Sequence, residues 1–186
     1  MATRLPATSA VAEPPDVGFS LATGTYEDAV AMIGETLRAT SPVEVNWPMI
    51  QLFCAMTEDA NPSYWDPAFA EATWGGIVSP PGMLLTWLLP RAWTPSGPEE
   101  LPLIAARVPL PGDTIINVST ETELPRPMLV GDRLSSSDEV TAVSPLKRTR
   151  LGEGHFVTSV LTVTNQHDQV VARVTNVAFR FRSEAA

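Results

Sequence analysis

The spacing of apolar residues changes partway along the chain. Over the first half they recur every three or four positions; over the second half they alternate with polar ones. Residues 26–38 (YEDAVAMIGETLR) predict an amphipathic helix. Thr25 can cap it, and Ala29, Met32, Ile33 and Leu37 line one side. A second helix starts at Asn46, a capping residue, with Pro48 in its first turn. Met49, Phe53 and Met56 form its apolar stripe, with Ile50 and Cys54 beside them. Residues 67–73 predict a short helical turn. Gly82 opens MLLTWLL, an apolar run over 82–89 that would be buried on all sides as a helix. A short strand is expected at 103–108. Alternation then predicts strands at 115–122, 134–143, 156–164 and 170–181, with a hairpin turn at 165–168. Helices first and a meander of strands after them imply an α+β domain, with a sheet wrapped around a helix.

Composition narrows the picture. The chain has 186 residues, enough for one sizeable core, and its 44% hydrophobic and 18% charged residues are an ordinary globular balance. The formal net charge is -9, with Lys147 the only lysine, which argues against nucleic acid or an anionic membrane as partner. A single cysteine, Cys54, allows no internal disulfide and no cysteine-based zinc site; it fits a reducing, cytoplasmic compartment. The longest apolar window is too short to span a bilayer. The 18 prolines cluster near the N-terminus, over 80–111 and at 125–127. Residues 1–21 are expected to be a flexible or docked tail, and 22–183 one domain.

The candidate chemistry sits where the Asn46 helix runs out. Glu58, Asp59 and Asn61 follow its apolar stripe, and Pro62 prevents simple continuation. A carboxylate held against an apolar wall has its pKa shifted towards a range useful for acid–base work. Asp59-Ala60-Asn61-Pro62 resembles the D-x-N-P core of the MaoC-like dehydratases and R-specific enoyl-CoA hydratases. In that family a His follows five positions after the Asp; here that position is Tyr64. Arg126-Pro127 followed by Gly131-Asp132-Arg133 looks like the family's RPxxxGDR turn. KRTRLGEGHF, from Lys147 to Phe156, looks like a segment of MaoC-like subunits in heteromeric steroid side-chain hydratases.

That resemblance implies a hotdog fold, a curled antiparallel sheet around a central apolar helix at 82–89. It also implies hydration of a 2-enoyl-CoA thioester with a bulky acyl group such as a steroid side chain. Such chemistry needs a deprotonated water at the β-carbon, a proton at the α-carbon and a stabilised thioester oxygen. Carried over by position, Asp59 takes the acid/base place, Asn61 orients the loop, and Gly82 offers its amide at a helix N-terminus. Tyr64 has a phenol, whose unperturbed pKa of about 10 makes it a poor base near neutrality. The chain is therefore expected to pair with a second MaoC-like hotdog subunit that carries an intact Asp/His dyad, as a heterodimer or heterotetramer; a homodimer is the alternative. No cofactor is implied beyond coenzyme A as part of the substrate. Lys147, Arg148 and Arg150 are candidates for its phosphates, and a plain solvated loop, with His155 at its end, is the competing reading.

Two rivals remain. One is a non-catalytic acyl-CoA-binding or scaffolding hotdog subunit. The other is a hotdog thioesterase, which would need a carboxylate on the central helix, and MLLTWLL has none. No phosphate loop, dinucleotide fingerprint or metal-ligand spacing is present. Cys54 and the five tryptophans read as packing residues.

Overall fold

The computed structural model describes residues 20–91, 93–97 and 99–182. Most of the expected tail over 1–21 lies outside them. The chain runs α1 (Tyr26–Ala31), β1 (Thr36–Thr40), α2 (Trp47–Thr57), α3 (Pro62–Trp65) and α4 (Pro67–Trp74). A 3-10 turn (Pro81–Met83) leads into α5 (Leu84–Leu88), then α6 (Ile104–Arg107). Five further strands follow: β2 (Thr114–Glu123), β3 (Ser135–Val143), β4 (Lys147–Thr149), β5 (Gly152–Thr164) and β6 (Val170–Phe181). They form one antiparallel sheet in the order β1-β3-β5-β6-β2, with β4 paired to β5.

The expected helix over 26–38 stops halfway. Thr25 and Asp28 close a capping box at its start, as the sequence implies. Gly34 then adopts a positive φ of 93°, which glycine tolerates at little cost. Gly34 donates to the Val140 carbonyl, and Glu35 accepts from the Val140 amide, so the backbone is captured by β3. Leu37 consequently lies in strand β1 rather than on a helix face. The expected strand at 103–108 is instead a helical turn, α6, with Ile104, Ala105 and Ala106 buried.

In α2 the buried residues are Ile50 and Cys54, one turn apart. Trp47, Met49 and Phe53 pack beside them, whereas Met56 is 79% exposed and not part of the stripe. The MLLTWLL helix is also less buried than expected. Leu84 and Trp87 face the core, but Leu85 and Leu89 are 52% and 53% exposed. It ends because Pro90 forces Leu89 into extended backbone (ψ 131°). A five-residue helix is about 7.5 Å long, whereas the thirteen residues of β5 span about 43 Å.

The core forms two clusters along the inner face of the sheet. Val45, Ile50, Cys54, Trp87, Leu134 and Val163 belong to the first. Ala29, Ile104, Val108, Val140, Val157 and Ala178 belong to the second. Arg180 is buried near the second, where Nε donates to the Gly112 carbonyl and Nη2 to the Ala22 carbonyl, tying the segment before α1 to the sheet.

Candidate active site

The site is built on the end of α2. Glu58 closes the helix in left-handed conformation (φ 54°), and the Asp59 amide bonds the Cys54 carbonyl. This reverses the chain, so that Asp59 Oδ1 accepts the Asn61 amide at 3.0 Å. Asn61 Oδ1 in turn accepts the Ser63 amide at 3.0 Å and caps α3, with Pro62 in its first turn. Two tryptophans brace the turn. Trp65 Nε1 donates to the Asp59 carbonyl at 2.7 Å, and Trp47 Nε1 to the Tyr64 carbonyl at 2.8 Å.

A cavity of about 310 Å³ opens beside this turn. Asn61, Ser63 and Tyr64 form one wall; Val78, Ser79 and Pro81 form another; residues 124–128 close the third. The Val78 amide donates to the Ser63 carbonyl and the Ser79 amide to the Met128 carbonyl, which links the first wall to the second and the second to the third; Trp74 Nε1 donates to the Ser63 hydroxyl and Trp87 Nε1 to the Ser79 hydroxyl. Asp132, buried, holds the third wall. Its Oδ2 accepts the Leu129 amide at 2.8 Å, and its carbonyl accepts the Val45 amide. The Gly131-Asp132-Arg133 turn thus positions a loop.

Tyr64 is 8% exposed and faces this cavity. Burial, with the nearby Asp59 and Cys54, pushes its phenol above its usual 10.0. It therefore stays protonated at neutral pH, able to donate a hydrogen bond but not to act as a base. Asp59 is half-buried; it and Gly82 flank the cavity, next to the lining Asn61 and Pro81, rather than lining it. Phe53 connects the two sides: a Cβ added at Gly82 would lie 3.6 Å from its ring. No side chain caps the helical turn that contains Gly82.

The structure does not bring Lys147, Arg148 and Arg150 to this site. They lie on β4 and its turn to β5, where Gly154 pairs with Phe181 at the far end of β6. The cavity loop leaves β2 opposite Arg173, roughly 26 Å away along β6. Arg126 is the cation that lines the cavity. His155 is not on a solvated loop; it is buried, stacked on Tyr26 at 5.2 Å, with Nδ1 2.9 Å from the Ser144 carbonyl. Ser63, Trp74, Ser79 and Met128 also line the cavity, though no motif marks them; only their placement after Asn61, before Pro81 and after Arg126-Pro127 could have done so. Among the described residues no group of three or more His, Cys, Asp or Glu could hold a metal ion, and no helix is long and apolar enough to cross a membrane.

Comparison with known proteins gives this geometry its context. The family model described as FAS1-like, dehydratase domain region, matches residues 31–174. A probable enoyl-CoA hydratase alpha subunit of Thermomonospora curvata is 33% identical over 159 residues, 81% of this chain and 48% of that protein. The chain thus spans about half the length of that relative. Among solved structures, the ChsH1-ChsH2 complex from Mycobacterium tuberculosis superposes with a TM-score of 0.69 at 27% identity, over 86% of this chain and 93% of the other. The R-hydratase PhaJ1 from Pseudomonas aeruginosa shares the fold, with a TM-score of 0.54 at 24% identity over 83% and 87%. The chain belongs to the FAS1-like dehydratase family, the MaoC-like hotdog proteins, and its sheet and short central helix are the hotdog fold.

Proposed function

We propose that this chain is one hotdog subunit of an enoyl-CoA hydratase, acting on a thioester with a bulky acyl group, and that a second MaoC-like subunit supplies the catalytic Asp/His dyad. The observation that carries this is Tyr64. It stands in the motif's His position, faces the cavity, and holds its proton more tightly than a free phenol. Asp59 spends one carboxylate oxygen on the Asn61 amide. No carboxylate and no imidazole lines the cavity among the described residues. Water activation thus falls to the partner, while this chain contributes shape, the polar turn and the amide side of the Gly82 turn.

An exposed sheet edge supports pairing. β2 is a ten-residue edge strand whose residues are exposed from Asn117 to Glu123, the kind of edge that takes another strand or must be guarded. The relatives named as an alpha subunit and as a two-chain complex support the same reading. A steroid side chain is the acyl group we favour. Arg126, rather than the β4 cations, is the phosphate contact this chain offers at its own cavity.

The test is to purify the full chain alone and together with a co-purifying MaoC-like chain, and to follow loss of the enoyl-thioester absorbance. Turnover is expected only in the pair and should survive Asp59→Asn in this chain. Full turnover by the chain alone, abolished by Asp59→Asn, would overturn the proposal. The same lack of a base favours one second reading, a non-catalytic acyl-CoA-binding subunit; thioester binding without turnover in any pairing would establish it.

A further inference from the structure

The inner face of the sheet is interrupted by a band of polar residues that crosses four neighbouring strands: Ser159, Asn176 and Thr120 share one row, and Asp138 stands one inward step along β3 from Val140, which pairs with Ser159. Leading into β3 and along it the inward positions read Leu134, Ser136, Asp138, Val140; on β5, Val157, Ser159, Leu161, Val163; on β6, Val174, Asn176, Ala178. The apolar residues at both ends belong to the two core clusters. Ser159 lies opposite Asn176, and Asn176 opposite Thr120. Thr120 Oγ1 donates to Asn176 Oδ1 at 2.7 Å, and Asn117 Nδ2 donates to Thr120 Oγ1 at 2.9 Å. A sheet face that only packed against a helix would be apolar throughout.

Above this polar row lies a cavity of about 220 Å³. Its roof is apolar: Leu85, Leu88 and Leu89 from the short central helix, and Leu101, Pro102 and Leu103 from the following loop. Asp138 closes its floor. The residue is 8% exposed, and its Oδ1 has no hydrogen-bond partner. Burial pushes its carboxyl above 3.8, although the Ser159 hydroxyl and the Ile104 amide pull the other way. A buried carboxyl oxygen without a partner destabilises the fold unless a ligand satisfies it.

We propose that this cavity is a binding subsite for a hydrocarbon group bearing a hydroxyl, with Asp138 Oδ1 accepting the hydroxyl proton and the leucine roof covering the hydrocarbon. Placing the far end of the acyl group here rests on the proposed function; binding of the group itself does not. An unsubstituted hydrocarbon would leave Asp138 Oδ1 without a partner, so the site discriminates by that one bond, whose loss from a buried acceptor corresponds to about tenfold or more in affinity.

The experiment titrates the full chain with 10-hydroxydecanoate and with decanoate by calorimetry, then repeats both as coenzyme A thioesters. The hydroxylated acid is expected to bind at least about tenfold more tightly. Asp138→Leu should abolish that preference, and Asp138→Asn, which keeps a carbonyl oxygen, should retain part of it. If Asp138→Leu fails to fold by circular dichroism, Asp138→Ala serves the same purpose. Equal affinities in the wild-type chain, or a preference that survives removal of the carboxyl, would overturn the subsite. Discrimination between the free acids with no binding of either thioester would leave the subsite standing and count against the thioester reading instead.

Discussion

Tyr64 and Asp138 show how much a single position decides. At Tyr64 the motif was legible, because Asp59-Ala60-Asn61-Pro62 fixes where the missing His belongs, and the structure turns that place towards a cavity. Replacing Tyr64 by His should therefore raise hydration by the isolated chain about 10²-fold over its background, since a positioned base contributes ~10²–10⁴; Tyr64→Phe should leave the background unchanged. Asp138 was not legible. It sits in SSSDEV, which reads as an ordinary alternating strand, and only the fold reveals that its side chain points inward. Its carboxyl is raised above 3.8 in the folded state. The folded state thus binds the proton more tightly, so the penalty for ionising Asp138 is absent below 3.8 and grows as pH rises through the folded value. The melting temperature of Asp138→Asn should accordingly gain on wild type as pH rises from below 3.8 and reach a constant gap above the folded pKa.

At the scale of elements, periodicity located α2, α4, β2, β3, β5, β6 and the 165–168 turn to within a few residues. It failed where local propensity and tertiary pairing disagreed. Residues 32–38 carry helical spacing, but Gly34 breaks the helix and β3 supplies hydrogen bonds to its neighbours. Helical spacing also placed Met56 inside and Leu85 inside, because a stripe on paper does not reveal how wide the covering surface is. The basic run of Lys147, Arg148 and Arg150, expected as a phosphate contact, lies away from Asn61, and spacing could not show this because the distance depends on which end of β5 it pairs with. Asp132 was read correctly as part of a turn, but its load is visible only in the fold. Asp132→Ala leaves the Leu129 amide without its charged acceptor, which should cost about 1.5–3 kcal/mol in urea unfolding and loosen the third cavity wall.

For the whole molecule the open edge is decisive. Val118 lies on β2 at a break in its register with β6 and is 50% exposed. A lysine there costs the folded monomer little but opposes burial against a second sheet. Val118→Lys should therefore shift size-exclusion mass from the paired to the single-chain species without lowering the melting temperature of the single chain.

The brevity of the central helix has one more effect. Leu85 and Leu89 stay exposed, on a helix roughly one-sixth as long as strand β5. Whatever comes to lie there must release structured solvent, so its arrival should be marked by a distinctly negative heat-capacity change, whichever way the enthalpy runs at room temperature.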